Sequence, residues 1–218
     1  MPAYYYSYFL LLAVGILTGM LRWKVLTPSL RIFWGLLVGT FLIEVAGRWI
    51  LLYCESNVAI YSIFRFVSFP LIVWAYFIEI QNKNLLLLIL GFWIVHALNL
   101  AYLQKLALVY DSYSIILSLL IFSYLGLAYL KHILNFPSEN NLLDFSLSLI
   151  SFGYLLFAST SLFVFGTINL VRRPEFEGAF VVLQTIRATA NHLLYLTFLI
   201  SFFGRRSPVS TGNSRKHE

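Results

Sequence analysis

The stretch RIFWGLLVGTFLIEVAGRWILLY, residues 31–53, decides the fold. After its first residue it carries only two charges, Glu44 and Arg48. A bilayer core about 30 Å thick needs about 20 apolar residues at about 1.5 Å rise each. The stretch is therefore expected to be a membrane-crossing helix. Similar runs occupy residues 4–21, 58–80, 85–103, 112–130, 142–171 and 179–203, which makes seven expected spans. They are too long for barrel strands and do not alternate apolar with polar residues. The connections are short, so the expectation is an all-α integral membrane protein, a seven-helix bundle over residues 1–203. The polar remainder, residues 204–218, is expected to be a disordered tail.

Composition agrees. Of 218 residues, 60% are hydrophobic and 11% charged, and the mean hydropathy is +0.83. Soluble domains carry about 25% charged residues. This balance excludes a soluble enzyme, a disordered chain and a nucleic-acid-binding domain, although the net charge is +6. The single cysteine, Cys54, excludes an intramolecular disulfide and a multi-Cys metal site. No basic segment precedes the first apolar run, so that run is expected to be retained rather than cleaved as a signal peptide.

Lys and Arg set the expected orientation. With the N-terminus outside, nine lie on the inner side: Arg22, Lys24, Arg31, Lys83, Lys131, Arg205, Arg206, Arg215 and Lys216. Three lie outside: Lys105, Arg172 and Arg173. The positive-inside rule then predicts a cytoplasmic C-terminus. Trp and Tyr near the run ends read as interfacial belts. Pro70 predicts a kink in the third span. Gly35 and Gly39 permit a close helix contact in the second.

The polar residues inside the spans carry the functional information, because buried ionisable groups in a membrane are costly and seldom face lipid. They are Glu44 and Arg48, Arg65, His96 with Asn99, and Gln184, Arg187, Asn191 and His192. Arg65 lies about 10 Å beyond the start of its run and Arg187 about 12 Å beyond its own. Glu44 and Arg48 lie about 14 and 8 Å from the outer end of theirs. All share the outer half of the bilayer. Glu44 and Arg48 can pair at i,i+4, and Gln184, Arg187, Asn191 and Tyr195 form one helical stripe.

Two readings follow. In one, these nine residues form a ligand-binding pocket for a carboxylate, a phosphate or a lipid headgroup, since the planar guanidinium fork suits such groups. In the other, Arg48 pairs with Glu44 while Arg65 and Arg187 snorkel outward or bond helix carbonyls. A metal site is not expected, because nearby Arg residues would repel a cation. No cofactor is expected, and no mid-span lysine suits a retinal Schiff base. No HExxH, GxSxG, P-loop or GxGxxG motif occurs, and no catalytic residue is assigned.

The segments Leu42-Ile43-Glu44, Ile60-Tyr61-Ser62-Ile63, Asp111-Ser112-Tyr113, Ser151-Phe152-Gly153-Tyr154 through Ser161-Leu162-Phe163, and Asn191-His192-Leu193-Leu194-Tyr195 carry a resemblance. The chain resembles a largely uncharacterised family of small seven-helix membrane proteins of Bacteroidota, often found near signalling genes. The family pattern has an acid where this chain has Arg65, and an Asn or Lys near the centre of the seventh span where this chain departs. The resemblance implies a bacterial inner membrane and a sensory role. It implies no reaction.

The leading expectation is a non-catalytic, receptor-like or sensory protein with membrane lipids around it and an Arg-rich outer pocket. Its partners would be an anionic small molecule or lipid headgroup and a cytoplasmic signalling protein. The alternatives are a small transporter, a lipid-modifying enzyme using Glu44 or His96, and a structural subunit of a membrane complex.

Overall fold

The computed structural model describes residues 3–54, 56–104, 112–135, 146–171 and 177–204, and all of its regular structure is helical. The helices are α1 (Ala3–Leu21), α2 (Pro28–Tyr53), α3 (Val58–Ile80), α4 (Asn84–Leu98), α5 (Ser112–Asn135), α6 (Ser146–Val171) and α7 (Glu177–Phe203). A π turn, Asn99–Leu103, continues α4. The expected tail beyond Gly204, together with Lys105, Tyr110, Asp111, Asp144, Arg172, Arg173 and Glu175, lies outside the described residues.

Local chemistry sets several helix ends. Thr27 caps α2 by accepting a hydrogen bond from the Leu30 amide at 3.3 Å, with Pro28 in the first turn, where its missing N–H costs nothing. α3 stops at Gln81, whose φ of 60° is left-handed. Pro70 lies inside α3, which stays helical on both sides. Where α4 gives way to the π turn, Asn99 Nδ2 donates to Gln104 Oε1 at 3.1 Å and to Ser114 Oγ at 3.2 Å. Gln104 Nε2 in turn donates to Ser112 Oγ at 2.8 Å.

Neighbouring helices close a ring. α1 packs against α2 and α7, α2 against α3, α3 against α5, α5 against α6, and α6 against α7. α4 sits on the outside, against α3 and α5. α2 also touches α6 and α7 across the middle. Close contacts occur where side chains are small. The Gly47 backbone is covered by the Tyr61 ring, and Gly126 lies 3.2 Å from the Ser151 carbonyl measured from where a Cβ would stand. Of the two α2 glycines expected to permit a close approach, Gly39 meets Phe64, whereas Gly35 faces open space.

The core is aromatic. Phe33 lies 5.3 Å from Phe198, 6.1 Å from Tyr154 and 6.2 Å from Tyr76, centroid to centroid. Tyr76 bonds Ser151 Oγ at 3.0 Å. The outer surface is apolar as well: Leu10, Leu17, Leu52, Leu87, Leu90, Leu127 and Phe163 are all exposed. A protein that is apolar both inside and outside needs an apolar solvent.

Five helical stretches are long and apolar enough to cross a membrane: residues 28–53, 58–80, 84–103, 112–135 and 146–167. That makes the chain an integral membrane protein. Among the described residues, five of the seven expected spans meet that measure. Among the described residues α1 contributes the apolar stretch Tyr6–Leu21. α7 is long but carries Gln184, Arg187, Asn191 and His192 along its length, which dilutes its apolar character.

Candidate functional site

A cavity of about 1000 Å³ lies among α2, α3, α5, α6 and α7, with Tyr8 of α1 at its edge. It occupies the half of the bundle that holds the first turns of α3 and α7, since Asn57, Val58, Phe180 and Val181 all line it. Most of its polar lining comes from three helices, with Ser118 of α5 and Ser161 of α6 besides. α2 supplies Thr40 and Glu44, α3 supplies Tyr61, Arg65 and Ser68, and α7 supplies Gln184, Arg187, Asn191 and His192. The three- and four-residue spacing keeps the α3 set on one face and Gln184, Arg187 and Asn191 on one face of α7, with His192 about 100° round from Asn191. The facing wall, from α5 and α6, is apolar in Ile115, Leu119, Phe157 and Phe165. The floor is Phe122, Tyr154 and Phe198. Beneath it Phe33 and Tyr76, both fully buried, fill the bundle.

Glu44 is held by two phenols. Tyr61 donates to its Oε2 at 3.0 Å and Tyr8 to its Oε1 at 3.4 Å. The carboxylate is thus oriented by hydrogen bonds from α1 and α3. His192 is fixed at both nitrogens. Its Nδ1 lies 2.8 Å from the Ala188 carbonyl and must donate there. In the neutral ring Nε2 is then the acceptor, and the Ser7 hydroxyl donates to it at 3.1 Å. The pair has the polarity of an activated serine. Ser7, however, is not part of the cavity lining and lies within helix α1, whose amides serve its own carbonyls. The pair ties α1 to α7. Arg187 lies 5.8 Å from the Phe165 ring centroid, within cation–π range.

Six of the nine residues expected at a ligand site line this cavity: Glu44, Arg65, Gln184, Arg187, Asn191 and His192. Three stand apart. The Arg48 guanidinium lies over the Phe9 ring at 4.4 Å. His96 is buried, stacks on Phe92 at 5.3 Å and lies 3.3 Å, through Nε2, from the Ser62 carbonyl. Asn99 belongs to the polar cluster at the π turn. These two were placed by depth alone, and depth does not say which way a helix faces.

Sequence reading did not single out Tyr8, Tyr61, Thr40, Ser118 or Ser161 as site residues, yet all five line the cavity. A signal was present for Tyr61, which precedes Arg65 by one helical turn and so shares its face. Tyr8 carried none, since a tyrosine early in a span also suits an interfacial belt.

Among the described residues no group of His, Cys, Asp and Glu could hold a metal ion. No protein-family model, no curated protein and no solved structure matches the chain.

Proposed function

We propose that this is a seven-helix, receptor-like membrane protein, non-catalytic, whose cavity binds an anionic ligand from the outer side of the membrane. The observation that carries the reading is the charge of the cavity wall. Arg65 and Arg187 both line it, against one carboxylate among the described residues, Glu44, which accepts from two phenols. Two half-buried guanidinium groups favour an anion more than they would in water. The volume, about 1000 Å³, is at the upper end of small-molecule sites.

The distribution of Lys and Arg supports an outer N-terminus and a cytoplasmic C-terminus. The family resemblance supports a bacterial inner membrane. Ligand binding would shift the packing of α3 and α7, which supply the two Arg residues, and a cytoplasmic partner would read that shift. Such a shift requires the ligand to prefer one arrangement. Transport is the weaker reading, because Phe33, Tyr76, Tyr154 and Phe198 fill the bundle below the cavity.

The test is thermal melting of the purified protein against acetate, inorganic phosphate and laurate. At least one is expected to raise the melting midpoint, by about 2.7 kcal/mol of stabilisation at a hundred times its Kd. The double variant Arg65→Gln, Arg187→Gln is expected to lose that response. If no anion stabilises the wild type, or the double variant responds equally, the reading fails.

A further inference from the structure

Almost every described residue lining the cavity is buried or half-buried. The exceptions are Val181, Thr185 and Thr189, which line it and are also exposed to the outside. They are four residues apart on α7 and so form one stripe. A stripe that faces both cavity and exterior marks an opening along the flank of the helix.

The stripe has neighbours that locate it. At about 100° per residue, Val181 and Thr185 share the face of α7 that carries His192. His192 is where α1 reaches α7, through Ser7. Val181 and Thr185 lie about 16 and 10 Å nearer the start of α7 than that contact. The seam therefore runs beside the helix, above the α1 contact.

Its surface is apolar in practice. The Thr185 hydroxyl donates to the Val181 carbonyl at 2.9 Å, and the Thr189 hydroxyl to the Thr185 carbonyl at 3.0 Å. Both hydroxyls are engaged by their own helix, and Val181 is 58% exposed. The seam presents hydrocarbon to whatever passes. A hydrated small anion gains nothing from such a route, whereas an acyl chain does.

Inside, the two walls differ. One carries Arg65 and Arg187, the other Ile115, Leu119, Phe157 and Phe165. One apolar wall accommodates one chain, and the polar wall opposite offers nothing to a second.

We propose that the occupant is a single-chain anionic amphiphile of the fatty-acid class, which reaches the cavity sideways from the bilayer through the α7 seam. Its carboxylate lies toward Arg65 and Arg187, and its chain lies along the α5–α6 wall. This inference rests on the anion-binding reading above and adds the ligand class and its route.

The experiment uses the full chain in lipid nanodiscs with three probes: laurate, acetate and dodecanol. Laurate is expected to bind at least about 100-fold more tightly than acetate, because ten further CH₂ groups are buried. It is expected to bind at least about 10-fold more tightly than dodecanol, which lacks the charge. Thr185→Trp, which narrows the seam from its exposed side, is expected to slow laurate association about 10-fold. Val181→Trp provides the same test at a second position if the first variant does not fold. Acetate binding as tightly as laurate would overturn the chain and the sideways route while leaving the anion site intact. Dodecanol matching laurate would overturn the anion site itself. Unchanged laurate association in both tryptophan variants would overturn the seam as the route.

Discussion

Tyr61 donates to Glu44 Oε2 at 3.0 Å because its ring lies over Gly47, one turn along α2 from Glu44. A Cβ at position 47 would stand 3.0 Å from the Tyr61 hydroxyl oxygen and 3.2 Å from its ring, tighter than ordinary contact. The sequence thus ties a backbone feature, a bare glycine, to the orientation of the one carboxylate that lines the cavity among the described residues. Tyr61→Phe is expected to cost about 1–3 kcal/mol, the range for removing a partner from a half-buried charged acceptor. Gly47→Ala is expected to cost a similar amount, about 1–3 kcal/mol, by forcing the ring to shift. The two act through one contact, so their costs are expected to fall short of additive by about 0.5 kcal/mol or more. Melting midpoints of the two single variants and the double variant check this. Strict additivity would show that Gly47 does not position Tyr61.

Gly35 and Gly39 are expected to behave differently, although they share a motif. A Cβ at Gly35 meets nothing within 4 Å, whereas one at Gly39 stands 3.0 Å from the Phe64 ring. Gly35→Ala is expected to be neutral or to stabilise α2 by up to about 1 kcal/mol through helix propensity. Gly39→Ala is expected to destabilise by about 1–3 kcal/mol through overpacking against α3. Melting of the two variants side by side is the measurement, and equal effects would contradict the asymmetry.

The difference between these glycines also shows what the sequence could tell. Long apolar runs placed all seven helices, with α3 matching end for end, because helix length in an apolar chain follows from composition and from caps such as Thr27. Depth, too, was legible: Arg65 and Arg187 line the same cavity because the helical rise fixes their distance from each helix start. Rotation was not. His96 has the same depth as the cavity residues but turns toward Phe92 and Ser62. Arg48 is one turn from Glu44 yet lies over Phe9 of α1. Which face a helix turns inward depends on which helix lies beside it, and in an almost uniformly apolar chain no amphipathic stripe gives that away. Among the described residues five of the seven helices are long and apolar enough to cross a membrane. On α7 the polar groups that line the cavity also lower its apolar character.

Phe33 and Tyr76 touch in the plug below the cavity, with centroids 6.2 Å apart, but they are expected to respond very differently to mutation. Phe33 is fully buried against rings on three helices, so Phe33→Ala is expected to cost about 3–5 kcal/mol. Tyr76→Phe removes only the hydroxyl bonded to Ser151. Ser151 keeps a partner, since its hydroxyl also lies 2.8 Å from the Leu147 carbonyl. That change is expected to cost about 0.5–1.5 kcal/mol. An intact plug further predicts that sealed vesicles containing the wild-type protein take up inorganic phosphate no faster than empty vesicles. Protein-dependent uptake would mean that the plug opens, and would favour a transporter.

Cys54 provides a direct test of orientation. It caps the end of α2, is exposed, and is the only cysteine in the chain, so a thiol reagent reports on this position alone. With the N-terminus outside, α2 runs outward and Cys54 emerges on the outer side. A membrane-impermeant maleimide is therefore expected to label the wild-type protein in intact cells and to leave Cys54→Ser unlabelled. In the Cys54→Ser background, Ser214→Cys puts a thiol on the C-terminal tail, expected to be cytoplasmic. That protein is expected to label only after the membrane is permeabilised. The reverse pattern would invert the bundle. Arg65 and Arg187 would then face the cytoplasmic leaflet, and the cavity would take its anion from inside the cell. The basic residues counted as inner would lie outside, against the charge bias that governs short loops.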